Sequence, residues 1–180
     1  APTYGNAQER LGPAMEPYRE SVFLACKTTQ RGREGAAAEL RESLRLLRTD
    51  RFDLYQLHGM STQEDFDQAM GPDGALEAVV EARDQGLVRH IGFSAHSSEI
   101  ALALMDAFTF DSVLFPVNWV HYFEADFGPT NIKAALETLG IEAAFVKSPK
   151  NGFDKIRAGE IHADHQLHGG VNPANSILEL

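Results

Sequence analysis

Short apolar runs alternate with amphipathic stretches of helical length along most of this chain, and few architectures accommodate that order. The apolar runs are Val22–Cys26, Phe52–Leu57, Val88–Gly92, Ser112–Phe115 and Ile141–Val146. Each is short and rich in β-branched or aromatic residues, the composition of a strand. Several are apolar on both faces, as parallel strands covered on both sides are. Between them, Ala36 to Leu47 sets Leu40, Leu44 and Leu47 on one stripe and Glu39, Arg41, Glu42 and Arg45 elsewhere. Gly74 to Arg83 repeats the pattern through Leu76, Val79 and Val80, with Gly86 placed as a C-terminal glycine cap. Ser97-Ser98-Glu99 opens a third helix with a hydroxyl cap and an acid in the first turn. Its apolar face is Ile100, Leu104 and Phe108, and Asn131 to Leu139 forms a fourth helix closed by Gly140.

Right-handed βαβ crossovers turn this order into a parallel sheet. Near-equal unit lengths favour a barrel, and no GxGxxG follows a strand, which lowers the dinucleotide-fold alternative. The expected class is therefore α/β, of the (β/α)8 TIM-barrel type. It is incomplete over this length, with about five parallel strands where a closed barrel has eight. Open edges invite pairing by further strands or by another chain, self-association included. Leu54, Leu57, Ile91 and Val113 are expected as interior side chains that face water on the open side. Residues 1–152 make up this barrel-like unit. Residues 153–180, polar and without periodicity, read as a loop or a poorly ordered segment.

The 180 residues carry 16 Lys and Arg against 26 Asp and Glu, a formal charge of −10. That balance argues against nucleic acid as a partner, which needs a basic face. No apolar run reaches the ~20 residues of a membrane span. The single cysteine, Cys26, excludes an internal disulfide framework and a multi-cysteine zinc site, and it fits a cytoplasmic location. His162, His165 and His168 recur at every third residue, but that spacing drifts around a helix and no acid partner is obvious, so no metal is assigned.

In a parallel barrel, chemistry sits at the C-terminal ends of the strands. Lys27 follows the first run and His58 the second. Ser94 and His96 follow the third, after Phe93. Asn118 closes the stretch from Ser112, and Lys147 and Ser148 follow the fifth run. Taken singly, these read as a solvated charge, a core histidine, a loop hydroxyl or a turn former. Their shared end of consecutive strands is what brings them to one mouth. Cys26, next to Lys27, points away from that mouth by alternation and is expected to be packed.

Four motifs then stand in one order: Tyr4-Gly5-Asn6-Ala7-Gln8-Glu9-Arg10-Leu11-Gly12, Cys26-Lys27-Thr28, Asp50-Arg51-Phe52-Asp53-Leu54-Tyr55-Gln56-Leu57-His58, and Gly86-Leu87-Val88-Arg89-His90-Ile91-Gly92-Phe93-Ser94. Together they resemble the aldo-keto reductase superfamily over roughly residues 1–152. The resemblance implies an oxidoreductase that moves hydride from NADP(H), with NAD(H) as the alternative, to a small aldehyde or ketone. It implies a catalytic set of Asp, Tyr, Lys and His. Tyr4, Lys27 and His58 match three of these, and the family's aspartate falls just upstream of the opening Ala-Pro-Thr-Tyr-Gly. Tyr4 would be the proton donor, Lys27 the ammonium that lowers the tyrosine pKa, and His58 the group that orients the carbonyl oxygen. Ser94, Asn118, Lys147 and Ser148 would hold the cofactor.

The sequence also departs from the family pattern. Ala95 follows Ser94 where the family often has Asn. Leu114 takes the place of a glutamine, and Lys147-Ser148-Pro149 carries Lys where many members stack a tyrosine on the nicotinamide. Nothing after Gly152 matches the loop that grips the adenosine phosphate. An alternative role on the same fold is a cofactor-binding regulatory or scaffold protein with weak catalysis. Phe93, Trp119, Tyr122 and Phe123 suggest an apolar or aromatic pocket, although such residues at a strand end are more often packing.

Overall fold

A computed structural model describes residues 1–115 and 176–179 of the chain, with side chains through residue 114. Helix α1 (Ala7–Met15) and a 3-10 turn (Glu16–Ser21) lead into strand β1 (Ala25–Thr28). Helix α2 (Arg33–Leu47) returns the chain to β2 (Phe52–Met60). Two helices, α3 (Gln63–Met70) and α4 (Ala75–Asp84), precede β3 (Val88–Ala95), and α5 (Ser98–Ala107) leads to β4 (Ser112–Phe115). A last strand, β5 (Ser176–Glu179), completes a sheet in the order β1-β2-β3-β4-β5. The first four strands are parallel, and β5 pairs with β4 antiparallel.

Helix α2 follows its leucine stripe: Leu40 and Leu47 are buried together with Ala36 and Ser43. The stripe of α4 ends as expected, with Gly86 at φ +77°. Helix α5 starts at the Ser97 cap, whose hydroxyl accepts the Ile100 amide at 3.3 Å. Helix α3 is absent from the sequence reading. Its signal is a capping box, in which the Thr62 hydroxyl accepts the Asp65 amide and the Asp65 carboxylate accepts the Thr62 amide.

Three strand boundaries differ from expectation. The first strand begins at Ala25 rather than Val22, because the Asp53 carboxylate takes the Leu24 amide at 2.8 Å and Val22 and Phe23 stay exposed. Strands β2 and β3 run on to Met60 and Ala95, past the apolar runs that announced them. Lys27, His58 and Ser94 therefore lie within strands, not just beyond them. Of residues 153–180, read as loop, Ser176–Glu179 form an edge strand. Backbone pairing to a free edge needs no side-chain periodicity, so four residues gave no sequence signal. The expected fifth parallel strand at 141–146 and the helix at 131–139 lie outside the described residues.

Register and alternation divide the sheet into two faces. Cys26, Tyr55 and Ile91 are level with one another, as are Thr28, Leu57, Phe93 and Val113. The apolar members of this set join the core with Leu40 and Leu47 of α2, Val79 of α4 and Leu104 of α5. Leu57, Ile91 and Val113 are thus helix-facing and buried, not interior residues open to water. Only Leu54 lies on the other face, and it too is buried. Phe93 is likewise a core residue: its ring meets Phe110 edge-on, with centroids 4.8 Å apart, and does not line a pocket. Cys26 is packed as expected, accepting from the Gln8 side chain at 3.3 Å.

Candidate active site

The opposite face carries the polar residues. Lys27 stands level with Gln56 and Gly92 with Ser112, and Leu114 stands level with Ser94. His58 follows on the same face of β2. Gly92 lets β3 approach β4 closely here, since a Cβ would collide with the Ser112 hydroxyl and lie 2.6 Å from its carbonyl oxygen. Across this gap the Gln56 carboxamide donates to the Ser112 hydroxyl at 3.1 Å, linking β2 to β4 over the intervening strand.

At the end of β2 the register shifts between Leu57 and Met60, and Gly59 takes φ +65°. This is a bulge, and glycine meets its left-handed backbone without the penalty a Cβ incurs. The bulge leaves His58 on the polar face and returns Met60 to the core. Ser94 of β3 closes the gap. Its hydroxyl oxygen accepts the Gly59 amide at 2.8 Å and lies 3.0 Å from the His58 Nδ1.

Tyr4 comes to this spot from the N-terminal segment. Its ring meets the His58 ring edge-on, with centroids 6.1 Å apart, and the residue is 55% exposed. Lys27 is half-buried, and burial holds its pKa below the ordinary lysine value. The exit of β1 is fixed behind it: the Glu39 carboxylate accepts from both the Thr28 and Thr29 hydroxyls and from the Thr29 amide. Burial is also the main cause that lowers the His58 pKa, followed by the positive charges of Lys27, the Ala1 ammonium, Arg31 and His96. The imidazole is thus biased toward its neutral form in a cationic setting.

The structure therefore brings Tyr4, His58 and Ser94 into contact and sets Lys27 on the same face. Asn118, Lys147 and Ser148 lie outside the described residues, as do His162, His165 and His168. Among the described residues, no group of three or more His, Cys, Asp or Glu side chains could hold a metal. A cavity of about 290 Å³ lies elsewhere, on the helix side, lined by Gln8, Glu39 and Ser43 among others. Sequence reasoning missed Gln56, Gly59, Arg31 and Ser112. Only the His58-Gly59 pair carried a local signal, a glycine inside a strand pattern.

The aldo/keto reductase family model matches residues 1–148. The chain belongs to the aldo/keto reductase family. Among curated relatives of this aldo/keto reductase, the uncharacterized oxidoreductase YqkF of Bacillus subtilis is 29% identical over 103 residues, which cover 51% of this chain and 32% of that protein. The aldo-keto reductase YhdN of the same organism is 33% identical over 113 residues, 55% of this chain and 32% of that protein. The chain thus matches about a third of the length of these relatives. The solved aldo-keto reductase AKR11C1 from Bacillus halodurans superposes with a TM-score of 0.57 at 20% identity, covering 75% of this chain and 46% of that one. An aldo/keto reductase from Brucella melitensis gives 0.58 at 21% identity, covering 74% and 51%. These neighbours are (β/α)8 barrels, and the four parallel strands with their helices are part of that architecture. No helix among the described residues is long and apolar enough to cross a membrane.

Proposed function

We propose that this aldo/keto reductase reduces a small aldehyde or ketone to the alcohol with a nicotinamide cofactor, NADPH by family habit. The observation that carries the reading is the edge-on contact of Tyr4 with His58, whose Nδ1 is held by Ser94. When bound, the reduced nicotinamide supplies the hydride. The chain's own residues supply the proton and the orientation.

The Gly59 amide can only donate, so the Ser94 oxygen accepts there and its own proton is free to go to the His58 Nδ1. With Nδ1 accepting that hydrogen bond, the ring's one proton sits on the His58 Nε2, which can donate to a carbonyl oxygen in the mouth. Tyr4 gives its phenolic proton to the same oxygen as it becomes an alkoxide. Lys27, on the same face, favours the phenolate that remains as long as it carries its proton, and burial, which lowers its pKa, brings down the pH at which that help is lost. Ser94 fits a carboxamide as well: its second lone pair is left to accept from the nicotinamide amide. Asn118, Lys147 and Ser148 are proposed as further cofactor contacts. We propose a cytoplasmic location and small-molecule substrates, without nucleic acid or membrane partners. The open sheet edges are proposed to be covered by further strands or by a second copy.

Loss of reduced-nicotinamide absorbance with a panel of aldehydes and ketones tests the reading, with Tyr4→Phe as the control. Turnover that falls at least a hundredfold in Tyr4→Phe while cofactor affinity is kept supports it. Full activity in Tyr4→Phe overturns the proton-donor role. Cofactor binding with no turnover for any substrate selects the scaffold alternative.

A further inference from the structure

We propose that Arg31 is a positioning residue for His58: its guanidinium bridges from Asp65 to the carbonyls of the β2 bulge and so fixes the imidazole in the mouth. The inference rests on the reading of His58 as the group that meets the carbonyl oxygen.

Arg31 lies in the connection between β1 and α2. Its Nη2 donates to the His58 carbonyl at 2.9 Å and to the Gly59 carbonyl at 3.3 Å, while its Nε donates to Asp65 Oδ1 at 2.7 Å. Both ends of this bridge are anchored. The Arg31 carbonyl accepts the Ala75 amide at 2.7 Å, which ties its backbone to the start of α4. Asp65 Oδ2 accepts from the Ser61 amide, the Thr62 amide and the Thr62 hydroxyl, at 3.0–3.1 Å. The Arg31 and Asp65 side chains are only 16% and 23% exposed.

The contacts fall where the β ladder is interrupted and where the backbone would otherwise be least constrained. A planar guanidinium can hold a carboxylate on one edge and two carbonyls on another, which a single ammonium cannot do in fixed geometry. The His58 backbone is thus held from below by Arg31 while Ser94 holds its ring. The charged and titratable groups facing the ring are Lys27 from β1, Ala1 and Tyr4 from the N-terminal segment, Arg31 itself, and His96 beyond β3. Asp65 acts on it through Arg31.

Nitrogen NMR of the labelled histidines tests this without cofactor or substrate. In the unaltered chain, neutral His58 should be the tautomer with its proton on Nε2. Arg31→Met should raise the pH midpoint of the imidazole by about half a unit, because one nearby positive charge is removed, and should mix the tautomers. Asp65→Asn should move the midpoint the opposite way, because it leaves the Arg31 charge uncompensated. Arg31→Lys should restore the midpoint but leave kcat roughly tenfold down with cofactor affinity kept. An unmoved midpoint in a folded Arg31→Met chain, or shifts of the same sign in both variants, overturns the proposal. If Arg31→Met does not fold, the Asp65→Asn shift decides alone. Opposite shifts in a chain that turns over no carbonyl would leave the Arg31 role standing and remove the reductase reading. Turnover with unmoved midpoints would do the reverse.

Discussion

The hydroxyl of Ser94 lies 3.0 Å from Nδ1 of His58 and 2.8 Å from the amide nitrogen of Gly59, so one side chain of β3 holds both the ring and the bulge of β2. The ring cannot rotate about its Cβ–Cγ bond without losing this contact. Ser94→Ala removes it and leaves the Gly59 amide without its acceptor. The expected cost is about 1–2 kcal/mol of stability. Turnover should fall about tenfold as the tautomer preference is lost, less than the ~10²–10⁴-fold of removing an acid or base outright, because His58 itself remains. Urea unfolding and histidine NMR on the same variant check both halves.

Acidification should weaken the fold through His58. Its folded pKa is lowered, first by burial and then by Lys27 and the other cations. The unfolded chain therefore binds the proton more readily, and stability is lost as pH falls through the ordinary histidine range, being complete above it. Urea unfolding at pH 5 and pH 8 should give a smaller difference for His58→Gln than for the unaltered chain. An equal difference would assign the pH dependence to other groups.

Gly92→Ala should destabilise by about 1–3 kcal/mol, as overpacking of a tight site does. The new Cβ would meet the Ser112 carbonyl, which is backbone and cannot swing aside, as well as its hydroxyl. The Gln56–Ser112 link should break with it. Thermal unfolding reads the stability loss, and side-chain amide NMR of Gln56 reads the link.

Arg48→Gly should stabilise the chain by about 0.5–1 kcal/mol. Arg48 ends α2 in the left-handed region at φ 52°, where a side chain is disfavoured. The ion pair it would lose, to Glu16 at 3.4 Å, is solvent-exposed and contributes little. A raised thermal midpoint with unchanged turnover is the expected result.

The parts of the fold that were legible are those whose signal is local. The leucine stripe of α2, the Ser97 cap and the left-handed Gly86 each reside in a few consecutive residues, and each is where the sequence placed it. The helix α3 carried an equally local signal in Thr62 and Asp65 that apolar periodicity does not detect. Which face a strand residue takes is different, because it depends on register with a neighbour. Leu57 and Ile91 were expected to face the interior, and only their pairing with Phe93 and Tyr55 places them against the helices. In the site, Lys27 and His58 were legible as chemical types at strand ends, and Tyr4 only through the resemblance of its motif. Arg31 was not: its contacts span 27 and 34 residues of sequence and leave no spacing to read.

A strand that alternates strictly assigns its residues to two faces in a sequence-determined count, and losing or gaining one residue exchanges every later side chain between them. The bulge at Gly59 is such a change of count, absorbed within β2. Deleting Gly59 would not merely shorten the strand. By plain alternation Met60, now wholly buried, would stay on the core face, but the amide held by Ser94 and the carbonyl reached by Arg31 would be lost. One inserted position thus gives the strand an extra amide and carbonyl beside His58 by which neighbouring residues can hold it, while the later side chains keep the faces they would have without it.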